Sequence, residues 1–215
     1  MYFGDTALPL LLSVRSGAPV SMPGMVETLS NIGLCDATAA GFLRHTGNSR
    51  LVWDTHRRLV ARVGEVVAGL PASIFDAQST ALFGTRDERD LNFAELRTLT
   101  RRYLDAYARA AGLPFPQDPR AELIGAIRAV FSSWQSAKAC EYRRQRSIPD
   151  AAGTAVAVQT MVYGNAGGRS GSGVGFTRDP LSGEPALWID FLFNAQGEDV
   201  VSIGAAPMAT TSWRR

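Results

Sequence analysis

A long helical stretch set between two strand-like, glycine-rich ends narrows the fold of this chain more than any other feature. In residues 48–69, Val52, His56, Leu59, Val60, Val63 and Val67 recur at helical spacing. Asn48 is placed to cap that helix, and Gly69 and Pro71 to stop it. In residues 92–112, Leu96, Leu99, Tyr103, Leu104 and Tyr107 line one face behind an Asn92–Glu95 capping pair, with Gly112 and Pro114 at the end. Asp118-Pro119 opens a last helix whose apolar face is Leu123, Ile127, Val130, Phe131 and Trp134, and which ends before Pro149. Asp36 is expected to cap a shorter helix through His45, and residues 71–91 hold a weak helix and the exposed charged loop TRDERD. The ends read differently. The run LPLLL at 8–12 suits a buried strand, and Val156, Val158 and Thr160 alternate as in a half-buried one. Residues 174–177, 187–193 and 199–203 are further strand candidates. The chain thus divides into residues 1–35 (strand and loop), 36–148 (a helical subdomain), 149–207 (strand-rich) and a tail, 208–215.

Composition excludes several function classes. The 215 residues are 46% hydrophobic and 20% charged, enough to bury a core as one large domain or two small lobes. Charges interrupt every apolar run, so no membrane span is expected, and the N-terminus lacks the basic start of a signal peptide. A net charge of +2 leaves no electrostatic footprint for nucleic acid. Every basic residue except Lys138 is Arg, and pairs such as Arg57-Arg58 and Arg101-Arg102 read first as solvated helix faces. Cys35 and Cys140 lie far apart without metal-ligand spacing, as expected of reduced thiols in a cytoplasmic protein. With only His45 and His56 present, a site built from several imidazoles is not expected.

Two runs carry candidate chemistry. SVRSGAPVSMPGM at 13–25 sets Arg15 among small residues and then surrounds Ser21 and Met22 with Pro and Gly. A strand leading into such a loop can offer backbone N–H donors and one fixed cation to a phosphate, although the same run suits an ordinary turn with a solvated Arg. GGRSGSGVGF at 167–176 is glycine-dense, which lets backbone approach a ligand closely but also occurs in many hairpins.

Taken with VAVQTMVYGNAGGRSGSGVGFTRDP at 156–180, NAQGEDVV at 194–201, LVWDTHRRL at 51–59, GLPFPQDP at 112–119 and AVFSSWQSAKACEYRR at 129–144, the sequence resembles the ATP-binding part of pyruvate, phosphate dikinase. The resemblance covers nearly the whole chain in order. It implies an α+β fold, an ATP-grasp-like nucleotide-binding region with an inserted helical subdomain, incomplete. It implies ATP as ligand with Mg as its companion, the metal ligands being unidentified. Carried over residue by residue, it assigns phosphate contact to Arg15, with Gly24 in the adjoining loop, and a further nucleotide role to Arg58. Gln159, Met161 and Val162 become the hinge beside adenine. Ser170, Gly171, Ser172 and Gly173 become a lid over the β- and γ-phosphates, converging with Arg15 on one triphosphate. Ser172 stands where the family usually has Thr, Asp190 where it has Glu and Ala205 where it has Arg, and the tail MATTSWRR departs from it.

Complete members of that family convert ATP, phosphate and pyruvate to AMP, pyrophosphate and phosphoenolpyruvate through a phosphohistidine. They also carry a Gly-Gly-Lys segment, Asp-x-Glu and Gln-x-Arg pairs, a phosphohistidine domain and a pyruvate-binding barrel, none of which this sequence matches. Phosphoryl transfer without the cation and metal groups loses orders of magnitude in rate, so little autonomous chemistry is expected and no catalytic residue is assigned. Asp179, Asp190, Glu198 and Asp199 are the acids that could hold magnesium, although Glu198 and Asp199 are expected on opposite faces of a strand, which argues against a metal shared by them. Implied partners are the nucleotide and a separate chain carrying the other domains, and exposed strand edges would favour self-association. The rival reading is a non-catalytic nucleotide-binding or protein-interaction module, or a decayed remnant.

Overall fold

The computed structural model describes residues 1–202 apart from Ser21, Pro23 and Gly168, and all their side chains except those of Arg89, Val201 and Ser202. Two compact units divide the chain, Met1–Met161 and Val162–Arg215.

The first unit is built on three antiparallel strands, β1 (Leu12–Gly17), β2 (Thr28–Ile32) and β3 (Ala155–Thr160), in the order β2-β1-β3. β1 and β3 pair without interruption, Ser13 opposite Gln159 and Arg15 opposite Ala157. β1 and β2 slip register between Leu12 and Val14, across from Asn31, whose φ of 69° marks a bulge. The first strand starts at Leu12 and not at Leu8. Upstream, the backbone of Tyr2 exchanges hydrogen bonds with Leu8 and Leu10, and the Asp5 carboxylate accepts the N–H groups of Ala7 and Leu8. With Pro9 unable to donate, local turn chemistry wins over the apolar run.

Six helices follow the first two strands: α1 (Asp36–Thr46), α2 (Ser49–Val66), α3 (Ser73–Phe83), α4 (Phe93–Ala111), α5 (Pro119–Ser133) and α6 (Ala137–Gln145), with a 3-10 turn (Glu88–Asp90) in the charged loop. α5 packs on all three strands, and Val14, Leu29, Ile32 and Val130 are fully buried. α2 packs against α4, burying Leu59, Val60 and Val63 on one and Leu96 and Leu99 on the other. A Cβ on Gly64 would lie 2.4 Å from the Phe75 ring, so this glycine is what admits Phe75 of α3 against α2. α2 also covers the outer edge of β2, where Arg62 Nε donates to the Thr28 carbonyl at 3.1 Å.

Three of the expected caps are present: Asn48 accepts the Leu51 N–H, Asn92 and Glu95 form a reciprocal box, and Asp118 accepts the Arg120 N–H ahead of Pro119. Two helical expectations are corrected. The cap of α1 is Cys35, extended at φ −131°, with the Cys35 N–H donating to Thr38 Oγ1; Asp36 is the first helical residue, where its charge suits the helix dipole. The last helix is two. Ser133 Oγ donates to Val130 O and accepts the Glu27 N–H, and Ser136 caps α6 by accepting the Ala139 N–H. Serine hydroxyls here outcompete the helical ladder. Phe131, expected in the core, is half exposed.

The second unit pairs β4 (Gly171–Phe176) with β5 (Trp188–Phe193), antiparallel, and adds α7 (Gly197–Ser202). The strand expected at 199–203 is this helix. Asp199 accepts the Gln196 N–H at 2.9 Å and donates its own N–H to the Gln196 carbonyl, a local cap that overrides the β-branched run after it. Glu198 and Asp199 are therefore neighbours in a helical first turn and not on opposite strand faces. Ile203, Ala205 and the tail lie outside the described residues. Among those described, the chain is a mixed helix-and-sheet, α+β protein, and no helix is long and apolar enough to cross a membrane.

Candidate functional site

Strand parity puts two of the candidate residues on one face. Arg15 is exposed while its neighbour Val14 is fully buried, so β1 turns its odd-numbered side chains away from the core. Directly opposed residues share a face, which places Ser13, Arg15 and Gly17 together with Gln159, Ala157 and Ala155. Downstream, Met22 is buried against Trp134 and Ala139, with Met25, Tyr142 and Ile148 packed around them. This anchor pins the loop that follows Arg15, and Gly24 in that loop takes φ +71° with open space where a Cβ would stand. Below it, Arg143 lies over the Trp134 ring at 4.2 Å and bonds the Trp134 carbonyl and Asp150. The expectations that fall on Ser21 and Pro23 lie outside the described residues.

The expected adenine hinge is strand and loop. Gln159 belongs to β3, and the Met161 N–H is already committed to the Leu11 carbonyl at 3.0 Å. Backbone groups alternate in direction along a strand, so Thr160 turns its N–H and C=O toward the outer side of β3. That is the edge without a further strand in the β2-β1-β3 order. Val162, in the second unit, is exposed.

Arg58 occupies α2 in a buried ionic chain. Its Nε donates to both oxygens of Asp54, which also accepts Arg57 Nη2 at 2.8 Å, and Arg57 pairs with Glu88 on its other side.

In the second unit, the glycine-rich run is only partly a loop. Gly171, Ser172 and Gly173 lie in β4, opposite Phe193, Leu192 and Phe191. Ser172 Oγ donates to the Ala195 carbonyl at 2.8 Å, and the loop ahead of β4 is fastened at both ends. Gly164 sits so close to Ala195 O and Ser172 Oγ that a Cβ would overlap both, and the Asn194 N–H bonds the Ser170 carbonyl. Asn165 and Gln196 are buried together, bonded at 3.2 Å. Between the fastenings, Arg169 is exposed.

The acids do not assemble a metal site. Among the described residues no group of three or more His, Cys, Asp or Glu could hold a metal ion. Asp179 is occupied by the Leu181 and Ser182 N–H groups, and Asp199 by Gln196. Asp190 Oδ1 is buried without a hydrogen-bond partner among the described residues, but it stands alone. Among the described residues, these acids do not by themselves make a magnesium site.

An α+β chain with an exposed arginine and a glycine-rich strand carries donors that suit an anionic ligand. The model of the family described as pyruvate phosphate dikinase, AMP/ATP-binding domain, matches residues 2–208, and the chain belongs to that family. It is 46% identical over 216 residues to pyruvate, phosphate dikinase of Rhizobium meliloti (strain 1021), covering 99% of this chain and 24% of that protein. The Clostridium symbiosum protein of the same name is 46% identical over 213 residues, covering 97% and 24%. Pyruvate, phosphate dikinase 1, chloroplastic, of Oryza sativa subsp. japonica is 48% identical over 202 residues, covering 93% and 21%. The chain thus spans about a quarter of the length of these relatives.

Proposed function

We propose that this chain binds ATP as the nucleotide-binding region of a pyruvate, phosphate dikinase-like phosphotransferase with an ATP-grasp-like arrangement. The observation that carries the reading is the shared open sheet face of Arg15 and Gln159 in a chain of this family. A planar guanidinium donates two parallel hydrogen bonds to a phosphate, and a primary amide beside it supplies neutral donors and acceptors. The reading assigns nucleotide contacts to Arg15, Gly24, Arg58, Gln159 and Met161 in the first unit, and to Val162, Ser170, Gly171, Ser172 and Gly173 in the second. The helical subdomain over 36–148 is then an insertion between strands of one nucleotide-binding region. The whole protein would convert ATP, phosphate and pyruvate to AMP, pyrophosphate and phosphoenolpyruvate in the cytoplasm.

Within the chain, the proposed work is binding. A thermal-shift series tests this. ATP at about a hundred times its Kd adds about 2.7 kcal/mol, a rise of roughly 5–10 °C for a chain of this size. No shift with ATP would contradict the proposal. A phosphoryl-exchange assay on the isolated chain is expected to show no turnover.

A further inference from the structure

We propose that Asp54 is a positioning residue that orients Arg58 toward an anionic ligand, here the triphosphate of ATP. The inference rests on the reading of Arg58 as a nucleotide contact. Asp54 is only 3% exposed, which is costly for a carboxylate unless it is paired. It is paired twice, from one helical turn: Arg57 Nη2 reaches Oδ1 at 2.8 Å, and Arg58 Nε reaches both oxygens at 3.2 Å. Arg57 alone would neutralise Asp54, but Arg57 also pairs with Glu88 at 2.5 Å. Glu88 is in turn held by Ser79 Oγ at 2.8 Å and Tyr103 OH at 3.3 Å. The sequence Glu88–Arg57–Asp54–Arg58 alternates charge and sums to zero. It runs from side chains anchored on α3 and α4 to Arg58, whose side chain is more exposed than that of Arg57, 15% against 7%.

The consequence is geometric. A contact at Nε fixes the plane of a guanidinium and with it the heading of the edge formed by its two Nη groups. Because Asp54 is itself held by Arg57, that direction is set before any ligand arrives, and less rotamer entropy is lost when an anion binds. A lysine at 58 could not be held and aimed in this way.

The test uses ATP as the probe and compares its Kd for the wild-type chain and the variants Arg58→Ala, Asp54→Asn, Asp54→Glu and Arg58→Ala with Asp54→Asn, alongside melting temperatures. Arg58→Ala is expected to weaken ATP about tenfold, the scale of a charge-assisted hydrogen bond. Asp54→Asn is expected to weaken it about fivefold, and the double variant no further than Arg58→Ala, the mark of residues acting as a unit. Asp54→Glu is expected to recover part of the loss. A variant Asp54→Asn that melts lower yet binds ATP like wild type overturns the proposal. An unchanged Kd in Arg58→Ala, or no ATP binding by the wild-type chain, instead removes the reading on which it rests. Should Asp54→Asn fail to fold, hydrogen exchange at arginine Nε decides in the unaltered protein. The Arg58 Nε–H is expected to exchange more slowly than that of exposed Arg101 and to stay protected with ATP bound. Equal exchange, or protection lost on adding ATP, contradicts the assignment.

Discussion

His56 lies between Trp53 and Phe115, with ring centroids 6.3 and 6.2 Å away, and neither ring nitrogen has a hydrogen-bond partner among the described residues. Burial lowers its imidazole to about 4, and the charge of Asp36 offsets only part of that. The unfolded chain, near 6.5, therefore takes up a proton before the folded one does. This contribution to stability is whole above pH 6.5 and is lost as pH falls toward 4, about 3 kcal/mol in all. His56→Phe keeps an aromatic ring in place and is expected to flatten the loss of melting temperature between pH 6.5 and 4.5; an equal loss in both proteins would contradict it. Glu122 acts oppositely. Burial raises its carboxyl to about 8 despite the Gly33 N–H it accepts at 2.8 Å, so its contribution is present below pH 4.5 and lost as pH rises through 8. At this scale the sequence told the place of His56, because its spacing put it on an apolar helix face. It did not tell the role of Asp54, since adjacency to two arginines looks the same on a solvated face as in a buried ionic chain.

Helix boundaries were legible where a single local interaction decides them, as at Asn48, Asn92 with Glu95, and Asp118. They were hidden where a distant group takes part: the break after Ser133 depends on the Glu27 N–H, a hundred residues away in sequence. β4 shows the same limit. Beside the phosphate role that the resemblance implies, its glycines make room for packing: a Cβ on Gly173 would stand 2.6 Å from the Asp190 carbonyl and 2.9 Å from the Phe191 ring, and one on Gly171 would strike the same ring. Phe191 and Phe193 meet edge to face at 5.0 Å across these bare positions. Gly173→Ala is therefore expected to destabilise the chain by about 1–3 kcal/mol, the usual cost of overpacking. Urea denaturation reads this out, and an unchanged midpoint would contradict the packing role.

Across the whole chain, the division between units falls after Met161. The α+β character was legible from the family resemblance more than from the hydrophobic periods, whereas the register that sets Arg15 beside Gln159 was not legible, because pairing partners lie more than a hundred residues apart. The β4–β5 pair leaves Phe176, Ile189 and Phe193 exposed, and its strands have no further neighbours among the described residues. Such faces and edges invite other copies. Light scattering over a concentration series is expected to show association; a monomer mass at every concentration would contradict this.

Calorimetric titration of ATP into the wild-type chain and Arg15→Ala examines nucleotide binding at its source. Binding by the wild type, weakened by about 1.5–3 kcal/mol in the variant, is the expected result for a charge-assisted phosphate contact. The same affinity in both proteins would take Arg15 out of the site.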